Sequence, residues 1–167
     1  VVASVGAAWS LALPIWEVSV PALQRMTVLA NQALLSLTSI QATIAGDTIT
    51  IVSGTFLVAD SCAGLNFFMS GITIGTMYAL LFLRRWRGRL AVVATAAAVS
   101  IVANWVRVFG LVLIGEYTSM QSPLMREHGT YGWLVFLVAL PVFFLAARRL
   151  EDGEARAHSA SPENRDD

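Results

Sequence analysis

Cys62, Arg107 and His128 are the residues of this chain best suited to covalent chemistry. A thiolate is a nucleophile, an imidazole carries protons near neutral pH, and a guanidinium holds developing negative charge without giving up its own proton. Together they make a set for amide cleavage or acyl transfer. The thiol attacks, the imidazole protonates the leaving amine, and the arginine steadies the oxyanion. Each has a plainer reading alone: Cys62 as a small buried hydrophobe, Arg107 as a side chain snorkelling from a helix end, and His128 as a solvated loop residue. Glu116, Arg126 and Glu127 are neighbours of His128 that either orient the imidazole or only keep its loop wet. His158 falls in a charged tail and is assigned no chemistry. With a single cysteine, an intramolecular disulfide is impossible, and a structural zinc site with the two histidines is not expected. No phosphate-cradling glycine loop occurs either, so no cofactor and no metal are expected.

These residues must be positioned by membrane helices. The chain is 56% hydrophobic and only 13% charged, against roughly a quarter charged in ordinary soluble domains. The net charge is zero and the eleven basic residues are all arginines, which leaves no electrostatic footprint for nucleic acid. Leu65 to Leu83 is almost uninterrupted apolar sequence; as a helix it covers about 28 Å, the thickness of a bilayer core. Leu90 to Ile114 is a second span, largely apolar but carrying Ser100, Asn104 and Arg107, and Tyr131 to Ala147 is a third. Arg84, Arg85, Arg87 and Arg89 separate the first two, and Arg148 and Arg149 follow the last. Basic residues in short flanks favour the cytoplasmic side. Both clusters then give one topology, with Ser61, Cys62 and the loop from Gly115 to Thr130 on the exoplasmic side. Arg107 stands seventeen residues beyond Leu90, about 26 Å up the span and near the same exoplasmic boundary. Asn104 precedes it by three residues and shares its helix face, a polar stripe pointing into the bundle. Cys62 falls at or just before a helix start, where backbone N–H groups and the helix dipole favour a thiolate. Gly64 permits close approach of another backbone there.

The N-terminal third is read in three pieces. Val1 to Leu13 is apolar but short, stopping at Pro14, and it opens as though within a longer protein. No basic stretch precedes it, so no cleavable signal peptide is read. From Pro21 to Ile40, Leu23, Met26, Ala30, Leu34 and Leu37 recur at helical spacing among polar residues, which predicts an amphipathic helix lying in the exoplasmic interface or packed as a polar span. From Gln41 to Ala59 the period changes to two, with turn signals at Gly46-Asp47 and Ser53-Gly54, which predicts a small exoplasmic β-hairpin delivering the chain to Cys62. The expectation is an all-α polytopic membrane protein, a bundle of about four to five helices with that hairpin before the cysteine. Residues 1–150 form one membrane-embedded domain, and 151–167, charged and Ala/Ser-rich, a disordered cytoplasmic tail.

Three segments carry a family resemblance: Val58-Ala59-Asp60-Ser61-Cys62-Ala63-Gly64-Leu65, Ala103-Asn104-Trp105-Val106-Arg107-Val108, and His128 followed by Gly132-Trp133. With the Pro21-x-x-Gln24 opening, this ordered set resembles the exosortase/archaeosortase family over about Pro21 to Leu150. Ala63 and Asn66 stand where many members carry Ser and Arg. The resemblance implies a sortase-like transpeptidase of the cell membrane, with its C-terminus cytoplasmic. It implies Cys62 as nucleophile, Arg107 as transition-state stabiliser and His128 as general acid/base, with Asn104, Gly64 and Asp60 supporting them. Its partners would be membrane-anchored proteins ending in a short motif, a transmembrane helix and a basic cluster. Two other readings stay open at this point: an endopeptidase that only hydrolyses, and a non-enzymatic membrane scaffold with Asn104 and Arg107 as interhelical glue.

Overall fold

The computed structural model describes residues 2–58, 62–126 and 128–159. Its elements in chain order are α1 (Val2–Ser36), β1 (Ala42–Ala45), β2 (Thr48–Ile51), β3 (Gly54–Leu57), α2 (Leu65–Phe82), α3 (Trp86–Tyr117), α4 (Pro123–Arg126) and α5 (His128–Ser159). Three stretches are long and apolar enough to cross a membrane: Leu65–Phe82, Trp86–Tyr117 and Gly129–Gly153. They coincide with the three expected spans. The protein is thus a helical membrane protein with a small sheet. It divides into two compact units, one of Val1–Asn66 with Asn104–Gly132, the other of Phe67–Ala103 with Trp133–Asp167.

In the first unit, α1 is one helix of 35 residues. It runs through both Pro14 and Pro21, where the sequence suggested a break at Pro14. Each proline removes one backbone donor, yet the helix is continuous through both. The buried side of α1 also differs from the expected one. Leu23, Thr27, Val28, Asn31 and Leu35 are buried, whereas Met26 and Leu37 of the predicted apolar face are exposed. Thr27 and Asn31 turn inward with Leu23, Val28 and Leu35 and find partners there, while Arg25, Gln32 and Ser36 stay exposed.

The expected hairpin is a three-stranded antiparallel meander in the order β1-β2-β3. The additional strand is β1, whose Ala-Thr-Ile-Ala sequence is too short and too weak in β-formers to stand out. Gly46 takes a left-handed φ of 59° at the first central position of the β1–β2 turn, as a two-residue hairpin requires. Alternation along β2 turns Ile49 and Ile51 inward, and they meet Val28 and Leu35 of α1 and Val108 and Val112 of α3 in one core. The β2–β3 turn, Val52-Ser53, has no such glycine and is pinned from outside. The Glu116 carboxylate accepts from the Ser53 amide at 3.2 Å and the Glu116 carbonyl accepts from the Ser53 hydroxyl at 3.2 Å. Helix α3 accordingly runs past the expected Ile114 to Tyr117.

The second unit holds most of α2, the first half of α3 and α5 from Trp133 onward. Tyr78, Ala79, Leu83, Val92, Ala96, Phe143 and Ala147 form its core. Small residues let the helices approach: a Cβ added at Gly75 would stand 2.6 Å from that of Ala96, the close packing typical of membrane helices. At the arginine-rich connection, the Arg89 side chain donates to the Leu83 carbonyl at 3.0 Å. The Tyr78 hydroxyl donates to Glu151 at 2.6 Å. Helix α5 does not stop at Leu150, where the sequence suggested a disordered tail, but continues to Ser159. Glu, Ala and Arg are good helix formers, and the Tyr78 bond anchors the first turn of the extension.

Candidate active site

Cys62 lies in the turn between β3 and α2, half-buried against the core of the first unit. The path of that turn is set by other elements. The Gln24 amide of α1 donates to the Val58 carbonyl. The Asn104 amide of α3 donates to the Cys62 carbonyl at 3.0 Å and to the Thr27 hydroxyl at 3.3 Å. Thr27 in turn donates to the Ala63 carbonyl at 3.4 Å. Gly64 follows with φ 96°, a conformation that side chains disfavour. A Cβ at Gly64 would stand 2.6 Å from the Asn104 amide nitrogen. The close approach expected at Gly64 therefore exists, but its neighbour is the Asn104 side chain rather than a backbone.

Asn104 and Arg107 share one side of α3, and both are interior, 1% and 6% exposed. Arg107 is thus buried rather than snorkelling to an outer surface. Its guanidinium packs on α5, because a Cβ at Gly132 would meet Arg107 Nε at 2.8 Å and Cζ at 3.2 Å. His128 is the first residue of α5, one turn before Gly132 in the chain. Cys62, Gly64, Asn104, Arg107 and His128 thus fall in the same compact unit. They are connected as Cys62 to Asn104, Asn104 to Arg107 along α3, Arg107 to Gly132, and Gly132 to His128 along α5. Asp60 lies outside the described residues, as does Glu127. Glu116, one alternative for orienting the imidazole, instead gives its carboxylate to the sheet turn.

Thr27 has no place in the sequence reading, where Gln24 and Asn31 figure only as polar residues interleaved along the Pro21–Ile40 helix, Gln24 also within the Pro21-x-x-Gln24 opening. Their signal was present, since positions 24, 27 and 31 repeat at helical spacing and mark one polar side of α1. Asn31 is fully buried, and its amide donates to the Thr27 carbonyl at 2.9 Å. The interior of this unit is therefore polar around the Cys62 turn and apolar around the sheet.

Fold and site together define a multi-span helical membrane protein with a single, half-buried cysteine whose backbone carbonyl is bonded to Asn104, on the same side of α3 as the buried Arg107. The family model for transmembrane exosortases (Exosortase_EpsH) matches residues 4–145. The chain belongs to that family, whose members are cysteine-type peptidases of membrane protein sorting. No curated protein and no solved structure matches it.

Proposed function

We propose that the chain is a sortase-like membrane transpeptidase, acting at the exoplasmic face on proteins that carry a C-terminal motif, a transmembrane helix and a basic cluster. The observation that carries the reading is the continuous linkage from the Cys62 turn through Asn104 and Arg107 to Gly132 and the start of α5. In this reading the Cys62 sulfur, having given its proton to His128, attacks the scissile carbonyl. The carbonyl π electrons move onto oxygen, and the oxyanion lies against the Arg107 guanidinium, which stays protonated throughout. The His128 imidazolium gives its proton to the leaving nitrogen as the C–N bond breaks, leaving a thioester on Cys62. An acceptor nucleophile then gives its proton to His128 and attacks the thioester, and as the C–S bond breaks the imidazolium returns that proton to the Cys62 thiolate.

The basic flanks at Arg84–Arg89 and Arg148–Arg149 support a cytoplasmic C-terminal end for α5, and hence an exoplasmic Cys62 turn. The test is co-expression with a reporter that ends in such a signal, taken from the source genome. Cys62→Ala should abolish processing with the protein still present in the membrane. Processing that survives this substitution would remove the nucleophile from the reading. Mass spectrometry of the mature reporter's C-terminus then reads the second step: an added group means transfer, and a free carboxylate means hydrolysis.

A further inference from the structure

The backbone on either side of residues 59–61 is held by helix α1. Gln24 binds the Val58 carbonyl and Thr27 the Ala63 carbonyl, and these two residues are three apart on α1, so they share a side of it. Between α1 and the turn stands Asn104. Its amide has two protons, and both are used, one on the Cys62 carbonyl and one on the Thr27 hydroxyl. That leaves the single Thr27 proton for the Ala63 carbonyl. Amide, hydroxyl and carbonyl thus point in one direction, so each bond polarises the next. Thr27 and Asn104 are each 1% exposed, and bulk water does not compete for these groups.

We propose that Thr27 is a positioning residue for the Cys62 thiol, acting with Asn104 as a two-point clamp on the consecutive carbonyls of Cys62 and Ala63. The inference rests on the reading of Cys62 as nucleophile. Fixing the Cys62 carbonyl fixes the rotation about its Cα–C bond, and fixing the Ala63 carbonyl does the same one residue on. The direction from which the sulfur leaves the backbone is then set by α1 and α3 rather than by the turn itself. Asn104 consequently has its donors committed to the turn and is not the oxyanion donor; that role falls to Arg107. Helix α1, which contributes none of Cys62, Arg107 and His128, becomes part of the catalytic machinery through a hydroxyl.

The experiment uses the full chain in detergent with the purified reporter, and it reads kcat and KM separately. Thr27→Val keeps the shape and removes the hydroxyl. It should lower kcat by about 10- to 100-fold, the scale of a sub-ångström to 1 Å misplacement of a reacting group, with KM and membrane abundance unchanged. Thr27→Ser, which restores the hydroxyl, should return most of the lost rate. A wild-type kcat in Thr27→Val would overturn the clamp, as would equal losses in the Val and Ser variants or a loss confined to KM. Thr27→Ala is measured if the Val variant does not accumulate. Absence of both from the membrane, with Thr27→Ser present, would make Thr27 a folding residue and also overturn the proposal. Cys62→Ala is run alongside: a dead Cys62→Ala with a normal Thr27→Val removes only the clamp, whereas an active Cys62→Ala removes the nucleophile reading itself.

Discussion

Gly64→Ala is the substitution that tests the site most sharply, because two independent penalties meet at one methyl group. The backbone there has φ 96°, and the new Cβ would stand 2.6 Å from Asn104 Nδ2, 2.7 Å from its Cγ and 3.0 Å from its Cβ. Forcing an L side chain into positive φ costs about 1–2 kcal/mol. Overpacking a filled interior adds about 1–3 kcal/mol. If nothing relaxes, the total is about 2–5 kcal/mol, a large share of the 5–15 kcal/mol that typically separates folded from unfolded states. Asn104 Cβ is fixed to the α3 backbone, so rotating the amide away relieves only part of the overlap. That rotation also strips the Cys62 carbonyl of its donor, at about 1–3 kcal/mol for a buried unsatisfied group. Either route should lower the thermal transition of the detergent-solubilised protein and the processing of the reporter. A double-mutant cycle with Asn104→Ala separates the terms. Removing the amide should recover the part of the overlap made with Nδ2 and Cγ, up to about 1–3 kcal/mol, and leave the Cβ contact and the φ part in place. Gly64→Ala with unchanged stability and unchanged processing would refute the contact. A cycle with no coupling would leave the backbone conformation as the whole effect.

Two further outcomes are expected. Gly132→Ala places a methyl 2.8 Å from Arg107 Nε; because that neighbour is the far end of a flexible side chain, stability should change by less than about 1 kcal/mol while processing falls about 10-fold, and equal processing in both proteins would take Arg107 out of the reaction. Glu116→Ala removes the acceptor of the Ser53 amide at 3.2 Å and should cost about 1 kcal/mol of stability in thermal unfolding with kcat unchanged, so a selective loss of kcat would return Glu116 to the imidazole.

The spans and the sheet were legible because each is written in a period: long apolar runs for α2, α3 and α5, and alternation around Ile49 and Ile51 for the meander. The lone cysteine, the arginine within a span and His128 stand out in the sequence for a different reason, as chemically capable residues in a largely apolar chain, although His128 proves to open α5 rather than to lie in a loop. The inward side of α1 was not legible. An apolar stripe reports the interior only when the other side faces water, and here Met26, at 43% exposed, and Leu29, at 56%, lie outside while Thr27 and Asn31 lie inside. The role of Glu116 was hidden as well, because its partner Ser53 is 63 residues away in sequence and a carboxylate near a histidine suggests a local pairing first.

The same inversion bears on how the site keeps its geometry. Asn104 and Arg107 are three residues apart on α3, so about 4.5 Å of helical rise separates the residue that grips the Cys62 turn from the one that would receive the oxyanion. His128 and Gly132 are four residues apart on α5, about 6 Å, and Gly132 carries the Arg107 contact. Between the Cys62 turn and the start of α5, then, stand two short runs of helix, one set of hydrogen bonds and two glycine contacts, Arg107 on Gly132 and Tyr131 on Gly110. Hydrogen bonds hold the Cys62 turn to α3, and packing of Arg107 on Gly132 and of the Tyr131 hydroxyl on Gly110 holds the start of α5 against α3 within this unit.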